Sequence, residues 1–286
     1  MLTEIRILPS GTVATLASFA AGPDAPLVHF AHATGMCAAL YQPILEALAG
    51  RVNVVASDAR GHGATSLADD PTPLTGWDLF ADDLAALLAV LPPAPRLILA
   101  GHSMGATVSL ELAARLGDRV AAVVAIEPAF IPFAVAPHYD RATFPNPMAG
   151  QAARRRAVWP SRSAIRDAYA GRGVFASWAA RDLEAYLTGG VREREDGQVE
   201  LACSPAWEAA TFAAVSAGVE TALATWRGPL TLLHGTERST VTPVDAATIA
   251  TRTDTIVRCF PGADHFLPLA EPAAMAAAIL AAAGRG

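Results

Sequence analysis

The sequence predicts an α/β fold in which a mostly parallel central sheet carries helices on both faces. Short apolar runs that suit buried strands alternate with segments that have apolar residues at helical spacing, a pattern typical of βαβ units. The alternation stops between residues 130 and 225 and then resumes, as expected for a core with an inserted cap. The chain has 286 residues, 52% hydrophobic and 17% charged, so it can bury a large core.

The first 126 residues predict a hairpin, three strand-helix pairs and a further strand. The hairpin turns at residues 9–11, where Pro, Ser and Gly separate two apolar runs. The Pro92-Pro93 pair stops the second helical pattern. After the hairpin, the predicted elements are a strand at 27–31, a helix at 38–48, a strand at 52–56, a helix at 77–91, a strand at 97–100, a helix at 106–116 and a strand at 120–126.

The remaining chain divides into a cap and the end of the core. Prolines cluster after Ala129, and short helical patterns follow near 163–170 and 179–187. The core pattern then returns with a strand at 230–234, a loop at 235–243, a helix, a strand at 255–259 and a final helix from about Glu271. We therefore predict that residues 1–129 and 226–286 form an α/β core and that residues 130–225 form a helical cap.

The composition excludes several classes of function. A formal net charge of -6 gives no basic surface for nucleic acid or for an anionic membrane. All 21 basic residues are arginine, which excludes a lysine Schiff base, a lysine-anchored pyridoxal phosphate and a Walker-type phosphate loop. Cys37, Cys203 and Cys259 are distant from one another, and residues 1–10 lack the apolar core of an export signal. We expect a soluble cytoplasmic protein.

The segment Gly101-His102-Ser103-Met104-Gly105 joins a predicted strand to a predicted helix. Its flanking glycines let the backbone hold the serine in a sharp, strained turn and let neighbouring elements approach closely. The turn would present the Ser103 hydroxyl at a helix N-terminus, where the amide of Met104 can stabilise an oxyanion. A tight turn without chemistry is the alternative interpretation, but partners elsewhere in the chain favour Ser103 as a nucleophile.

A serine hydroxyl needs a base within hydrogen-bond reach before it can act as a nucleophile at neutral pH. His265 follows the last predicted core strand, at the sheet edge where loops gather above Ser103, and is therefore the candidate base. His29 and His32 could suggest a metal site, but no cysteine or carboxylate set completes it, and alternating strand faces separate the two side chains. We expect neither a metal nor a cofactor.

Four motifs resemble those of the α/β-hydrolase family, in order and at similar spacing. They are residues 32–35 (His-Ala-Thr-Gly), 58–63 (Asp-Ala-Arg-Gly-His-Gly), 101–105 and 262–266. The resemblance covers the chain except the cap. It implies Ser103 as nucleophile, His265 as general base, and the backbone amides of Thr34 and Met104 as the oxyanion hole.

The carboxylate of the implied triad has two candidates. Family members usually carry an aspartate in the loop after the strand that corresponds to 230–234, and Ser239 stands at about that place. Glu127 ends the preceding core strand, where some lactonases and haloalkane dehalogenases of this fold place a glutamate. Either strand end can deliver a carboxylate to the same imidazole nitrogen. We predict Glu127 as the acid, with Glu237 as the alternative.

The cap is expected to set substrate choice. We expect His32, Trp159 and Trp178 to line an apolar substrate pocket, although the tryptophans could instead attach the cap to the core. The three arginines at 154–156 could bind an anionic substrate or form a solvated helix face.

The sequence thus predicts a serine hydrolase that cleaves a carboxylic ester or lactone of a small apolar substrate through a Ser-His-Glu triad and an acyl-enzyme. Carbon-carbon bond hydrolysis and perhydrolysis use the same triad within this fold. A non-catalytic ligand-binding protein on the same scaffold is the alternative from a different class. In each case the expected partner is a small molecule, with no nucleic acid and no membrane.

Overall fold

The computed structural model describes residues 1–67, 70, 71, 74–140, 142 and 145–285. Residues 68, 69, 72, 73, 141, 143, 144 and 286, which fall within the predicted core and cap ranges, lie outside the described residues. The strands are β1 (Leu2–Leu8), β2 (Gly11–Ser18), β3 (Leu27–Ala31), β4 (Asn53–Ser57), β5 (Leu97–His102), β6 (Val120–Ile126), β7 (Val158–Trp159), β8 (Val191–Glu193), β9 (Val199–Leu201), β10 (Leu230–Glu237) and β11 (Thr255–Asp264).

The helices alternate with these strands in the core and cluster in the long segment between β6 and β10. They are α1 (Gln42–Leu48), α2 (Asp78–Val90), α3 (Met104–Leu116), α4 (Pro147–Ala152), α5 (Arg162–Tyr169), α6 (Ala180–Gly189), α7 (Pro205–Ala213), α8 (Val219–Thr225), α9 (Pro243–Ala250), α10 (Leu267–Ala270) and α11 (Pro272–Ala282). Within the described residues, no helix is both long and apolar enough to cross a membrane.

The predicted fold class is confirmed. The described strands form an eight-stranded sheet in the order β1-β2-β4-β3-β5-β6-β10-β11, which is parallel except where β2 pairs with β1 and β4. Successive residues of β3 point to opposite faces of the sheet and pack in two different hydrophobic clusters. Val28 and Phe30 of β3 pack in the cluster that includes residues of α1 and α11, whereas Leu27 packs in the cluster that includes residues of α2 and α3. The sheet therefore carries helices on both faces.

Several core elements differ from their predicted bounds, most of them by one to three residues, and two of the differences involve proline. The helix predicted at 38–48 is a 3-10 turn, Ala38–Tyr41, followed by α1, and Pro43 lies in the first turn of α1, where its missing N–H costs no hydrogen bond. The strand predicted to end at 259 continues to Asp264 in spite of Pro261. Because β11 is the edge strand and pairs with β10 alone, a proline there removes no bond from the rest of the sheet.

The segment between β6 and β10 contains α4 to α8 and a small antiparallel sheet in the order β7-β9-β8. The sequence predicts short helical patterns in this segment and none of these three strands. Val191, Val199 and Leu201 are buried in the same cluster as core residues, so burial of these side chains holds the hairpin in place. Strands of three residues are too short to show a clear period of two.

Candidate active site

Ser103 lies at a strained turn between β5 and α3. Its φ of 55° is in the left-handed region, which a residue with a side chain rarely adopts. The flanking glycines allow the close packing that the turn requires. A Cβ at Gly101 would lie 2.5 Å from the carbonyl carbon of Gly105, and a Cβ at Gly105 would lie 2.3 Å from the carbonyl oxygen of Ala31. The turn thus has the geometry expected of a nucleophile elbow.

His265 and Glu127 meet although 138 residues separate them in the sequence. His265 directly follows β11 and Glu127 directly follows β6, and both strands end at the edge of the sheet that carries Ser103. The His265 Nδ1 atom lies 3.2 Å from Glu127 Oε2. Glu127 is fully buried, and its φ of 47° is again left-handed, so the backbone is strained at this position also.

The loop after β10 holds the Glu127 carboxylate as an ion. Oε1 accepts hydrogen bonds from the Gly235 amide at 2.5 Å and the Ser239 hydroxyl at 2.8 Å, and Oε2 accepts one from the Thr240 amide at 3.0 Å. Burial alone raises the pKa of Glu127. The hydrogen bonds from His265, Gly235 and Thr240, with the charge of His265, more than offset burial and lower that pKa to about 2.

Glu237, the alternative acid, lies at the end of β10 with an exposed side chain. Within the described residues it makes no hydrogen bond or ion pair with His265. Ser239, which stands where the family resemblance implies an aspartate, donates instead to the carboxylate that comes from the neighbouring strand. The small hydroxyl leaves room for Glu127.

The loop after β3 leaves one backbone amide free near Ser103. The Ala33 amide donates to the Tyr41 hydroxyl at 3.2 Å, and the Gly35 amide donates to His62 Nε2 at 3.0 Å. In the part of the chain that the structure describes, the Thr34 amide has no hydrogen-bond acceptor. Thr34 lines the same cavity as Ser103, and Met104 starts α3, where an amide has no intrahelical partner. Both amides can therefore donate to a bound ligand.

Buried histidines brace the loops around the cavity. One ring nitrogen of His102 lies 2.7 Å from the Tyr41 hydroxyl and the other lies 2.7 Å from the carbonyl oxygen of His265, so His102 connects the elbow to the histidine loop. Burial, and then the nearby His265, lower the pKa of His102 to about 3, which keeps it neutral. His62 plays a similar bracing role through Gly35.

A cavity of about 640 Å³ lies above these groups. Ser103, His265 and Thr34 form its floor, and the other walls are largely apolar. Trp77, which precedes α2 and has no site role predicted from the sequence, also lines the cavity. The remaining lining side chains are mostly from the segment after β6 and include Phe130, Ile131, Tyr139, Pro145, Pro147, Met148, Val174, Glu208, Phe212 and Val215.

The three residues predicted to line the pocket lie elsewhere, and this corrects the sequence-based expectation. His32 is buried beneath its loop, with Nε2 accepting a hydrogen bond from the Ala59 amide at 2.8 Å. Trp178 lies behind the cavity wall, edge-on to Phe266 at 5.1 Å between ring centroids. Trp159 packs against Tyr169 on the surface of the small sheet. The two tryptophans thus stabilise the segment between β6 and β10.

The arginines at 154–156 separate into different environments. Arg155 forms a partly buried ion pair with Glu208 of α7, and Arg156 lies over the Trp159 ring at 4.7 Å. The charge of Arg155 is therefore matched within the protein. No group of three or more His, Cys, Asp or Glu side chains suited to a metal ion occurs among the residues that the structure describes.

Comparison with known proteins gives both sequence and structural matches. A 2-(acetamidomethylene)succinate hydrolase of Mesorhizobium japonicum (strain LMG 29417 / CECT 9101 / MAFF 303099) is 39% identical over 110 residues, 38% of this chain and 37% of that protein. The match thus spans little more than a third of the relative. The crystal structure of E-2-(acetamidomethylene)succinate hydrolase superposes with a TM-score of 0.78 at 24% identity, over 98% of both chains.

The enol-lactonase from Burkholderia xenovorans LB400 superposes with a TM-score of 0.71 at 18% identity, over 98% of this chain and 99% of the enzyme. At such identities the likeness shows the fold alone. A sequence profile described as the alpha/beta hydrolase family matches residues 30–278. The chain therefore belongs to the alpha/beta hydrolase family.

Proposed function

We propose that the protein is a serine hydrolase that cleaves a carboxylic ester or lactone of a small, largely apolar substrate. The observation that carries the proposal is the contact of 3.2 Å between His265 Nδ1 and the buried Glu127 carboxylate, on the floor of a cavity that Ser103 also lines. A histidine oriented in this way can act as the base for a serine.

The residues divide the reaction as follows. Ser103 attacks the carbonyl carbon while the His265 nitrogen that faces away from Glu127 takes the hydroxyl proton, and the same nitrogen returns that proton to the leaving oxygen. Glu127 orients His265 and stabilises the imidazolium ion. The amides of Thr34 and Met104 stabilise the oxyanion of the tetrahedral intermediate. Water activated by His265 then releases the acid from the acyl-enzyme.

The cavity supports a small substrate with a substantial apolar part. A volume of about 640 Å³ lies within the range of pockets that enclose a small molecule. Phe130, Phe212 and Val215 offer apolar surface above Ser103. The segment 130–225, which supplies most of this wall, acts as the cap in the proposal.

A fluorophosphonate probe tests the proposal, because it labels a serine only where a base activates it. We expect intact mass and peptide mapping to show one label, at Ser103, that the Ser103→Ala variant lacks. Turnover of a panel of p-nitrophenyl esters and lactones then measures which acyl lengths the pocket accepts. 2-(Acetamidomethylene)succinate should be assayed separately, because a relative is named for its hydrolysis. Absence of labelling and of turnover in a folded protein would contradict the proposal and favour a ligand-binding protein.

A further inference from the structure

Two carboxylates in the cavity wall, Asp264 and Glu208, have no role in the proposed triad, and Asp264 is paired with Arg238 at 3.0 Å, so Glu208 is the candidate for a further role. Glu208 lies on α7, one turn from Ser204, whose side chain caps the helix N-terminus. Its side chain is 9% exposed, and it lines the same cavity as Ser103, Thr34 and His265. A carboxylate in a mostly apolar wall needs partners, because a buried charge without them is costly.

Arg155 satisfies one of the two oxygens of Glu208. The Nη1 group of Arg155 donates to Oε2, and its Nη2 group donates to the hydroxyls of Tyr169 at 2.9 Å and Tyr186 at 3.2 Å. Burial alone lowers the pKa of Arg155, but Tyr186, Glu208 and Tyr169 outweigh burial and raise it. The guanidinium is thus a fixed cation that holds Glu208 in one orientation.

The other oxygen, Oε1, faces the loop that carries the Thr34 amide. A Cβ at Gly35 would lie 2.7 Å from Oε1, so the absence of a side chain at Gly35 is what admits the carboxylate. No donor from the described residues reaches Oε1. An ionised carboxylate oxygen can only accept hydrogen bonds, so Oε1 can take a donor that enters the cavity. The cavity therefore offers a fixed hydrogen-bond acceptor next to the loop after β3, which carries the Thr34 amide.

We propose that Glu208 is a specificity residue that accepts a hydrogen bond from an N–H or O–H group of the substrate, close to the carbonyl that reacts. The proposal deepens the proposed function and rests on it for the identity of that carbonyl. It favours uncharged acyl groups that carry a hydroxyl or an amide N–H, and it disfavours a carboxylate at this position, because two anions would repel. Arg155 supports this preference by fixing Glu208 rather than by binding an anionic substrate.

The Glu208→Gln variant should abolish or invert the preference for a donor. Arg155 can only donate, so the single side-chain oxygen of glutamine turns toward Arg155 and the NH2 group faces the cavity. A substrate donor then meets another donor. A merely structural ion pair would lower thermal stability on substitution but would not distinguish between ligands that differ in one donor.

The experiment measures binding to the Ser103→Ala protein, which cannot form an acyl-enzyme, by ligand-observed NMR with two matched pairs of methyl esters. The hydroxyl arm compares 3-hydroxybutyrate with 3-methylbutyrate, and the amide arm compares N-acetylglycine with 4-oxopentanoate. Each pair exchanges one donor for a group of similar size. The matched control is Glu220→Gln in the same background, because Glu220 is an exposed glutamate of α8 that does not line the cavity.

We expect the donor to tighten binding by about 10-fold or more in at least one arm, and the arm that shows it identifies hydroxyl or amide as the donor. The ratio should fall to about one or below in Ser103→Ala/Glu208→Gln and persist in Ser103→Ala/Glu220→Gln. Equal binding within both pairs, or a ratio unchanged by Glu208→Gln, would overturn the inference. If the protein hydrolyses no ester but still prefers the donor ligand in a way that depends on Glu208, the inference stands and only the proposed function is overturned.

Discussion

The ends of the core strands and the segment between β6 and β10 contribute to the cavity in different ways. Core strands end at Ser103, Glu127 and His265, and backbone hydrogen bonds fix the first two: the Ser103 amide donates to Ile126 at 3.0 Å, and the Glu127 amide donates to Leu233 at 2.8 Å. The inserted segment contributes Phe212 and Glu208 from α7, which are positioned by helix and side-chain packing.

The proposed function thus assigns reactivity to the sheet and selectivity to the insertion. Strain at Ser103 and Glu127 is maintained because the parallel strands on either side determine where each strand end must lie. A helix such as α7 can change its side chains without altering those strand ends. Substitutions in the two regions should therefore change different quantities.

The largest expected effect is a loss of kcat when the histidine at a strand end is replaced, and not when a histidine of the insertion is replaced. His265→Ala should lower kcat for ester hydrolysis by about 10⁴-fold or more, because the serine loses its base. His138→Ala is the matched control, since His138 is exposed and lies outside the cavity wall. Comparable losses in both variants would break the distinction between the two regions.

The elbow should be the least tolerant place for a methyl group. In Gly105→Ala, the added Cβ meets the carbonyl oxygen of Ala31, which belongs to a buried strand and cannot move aside. We expect a loss of about 3 kcal/mol in the free energy of unfolding, measured by urea denaturation. In Gly76→Ala the new Cβ would have its nearest contact at 3.4 Å, with the Asp78 side chain, so stability should change little. A wild-type midpoint for Gly105→Ala would contradict the close packing at this turn.

Within the insertion, residues that line the cavity and residues buried away from it should respond differently to substitution. Phe212→Ala enlarges the cavity and should shift the kcat/KM ratio of p-nitrophenyl octanoate to p-nitrophenyl acetate by about 10-fold toward the longer acyl chain. Phe175 is buried in the insertion, stacked on Tyr169 at 4.4 Å, and does not line the cavity. Phe175→Ala should lower the melting temperature and leave the ratio as in wild type. A shift of the same size in both variants would mean that the wall does not set acyl preference.

The smallest expected effect is on the pH dependence of stability, and it involves one buried histidine of the core. Burial, and then the neighbouring His32, lower the pKa of His29 to about 3 from 6.5. Between about pH 3 and pH 6.5, His29 carries a proton in the unfolded chain but not in the folded protein. The free energy of unfolding therefore falls as the pH falls through this range. His29→Gln should reduce the slope of unfolding free energy against pH, between about pH 4 and pH 6, by about 1.4 kcal/mol per unit. An unchanged slope would show that His29 is not buried as a neutral group.

The core was predictable because its signals are local. The strand at 120–126 is apolar along its whole length and the strand at 27–31 is apolar apart from His29, as expected for strands buried on both faces, and the structure has the same bounds. Ser103 and His265 stand at strand ends that topology brings together. Choosing between Glu127 and Glu237 requires the direction of the side chains after β6 and β10, which the sequence does not specify.

The cavity wall was less predictable because it depends on how separate elements pack. Trp159 and Trp178 have the composition expected of a pocket, yet one packs on the small sheet and the other behind Phe266. Trp77 lies outside the insertion in sequence and reaches the cavity because its ring nitrogen donates to the carbonyl oxygen of Thr211, at 3.0 Å. Such contacts between distant elements leave no periodic signal.

The most direct test of the account compares kcat/KM for one p-nitrophenyl ester in Glu127→Gln and Glu237→Gln. Both variants remove one carboxylate at nearly constant volume, but only Glu127 contacts His265 among the described carboxylates. We expect a loss of about 10³- to 10⁴-fold for Glu127→Gln and a change of less than about twofold for Glu237→Gln. Near-normal activity in folded Glu127→Gln, or a large loss in Glu237→Gln, would contradict it.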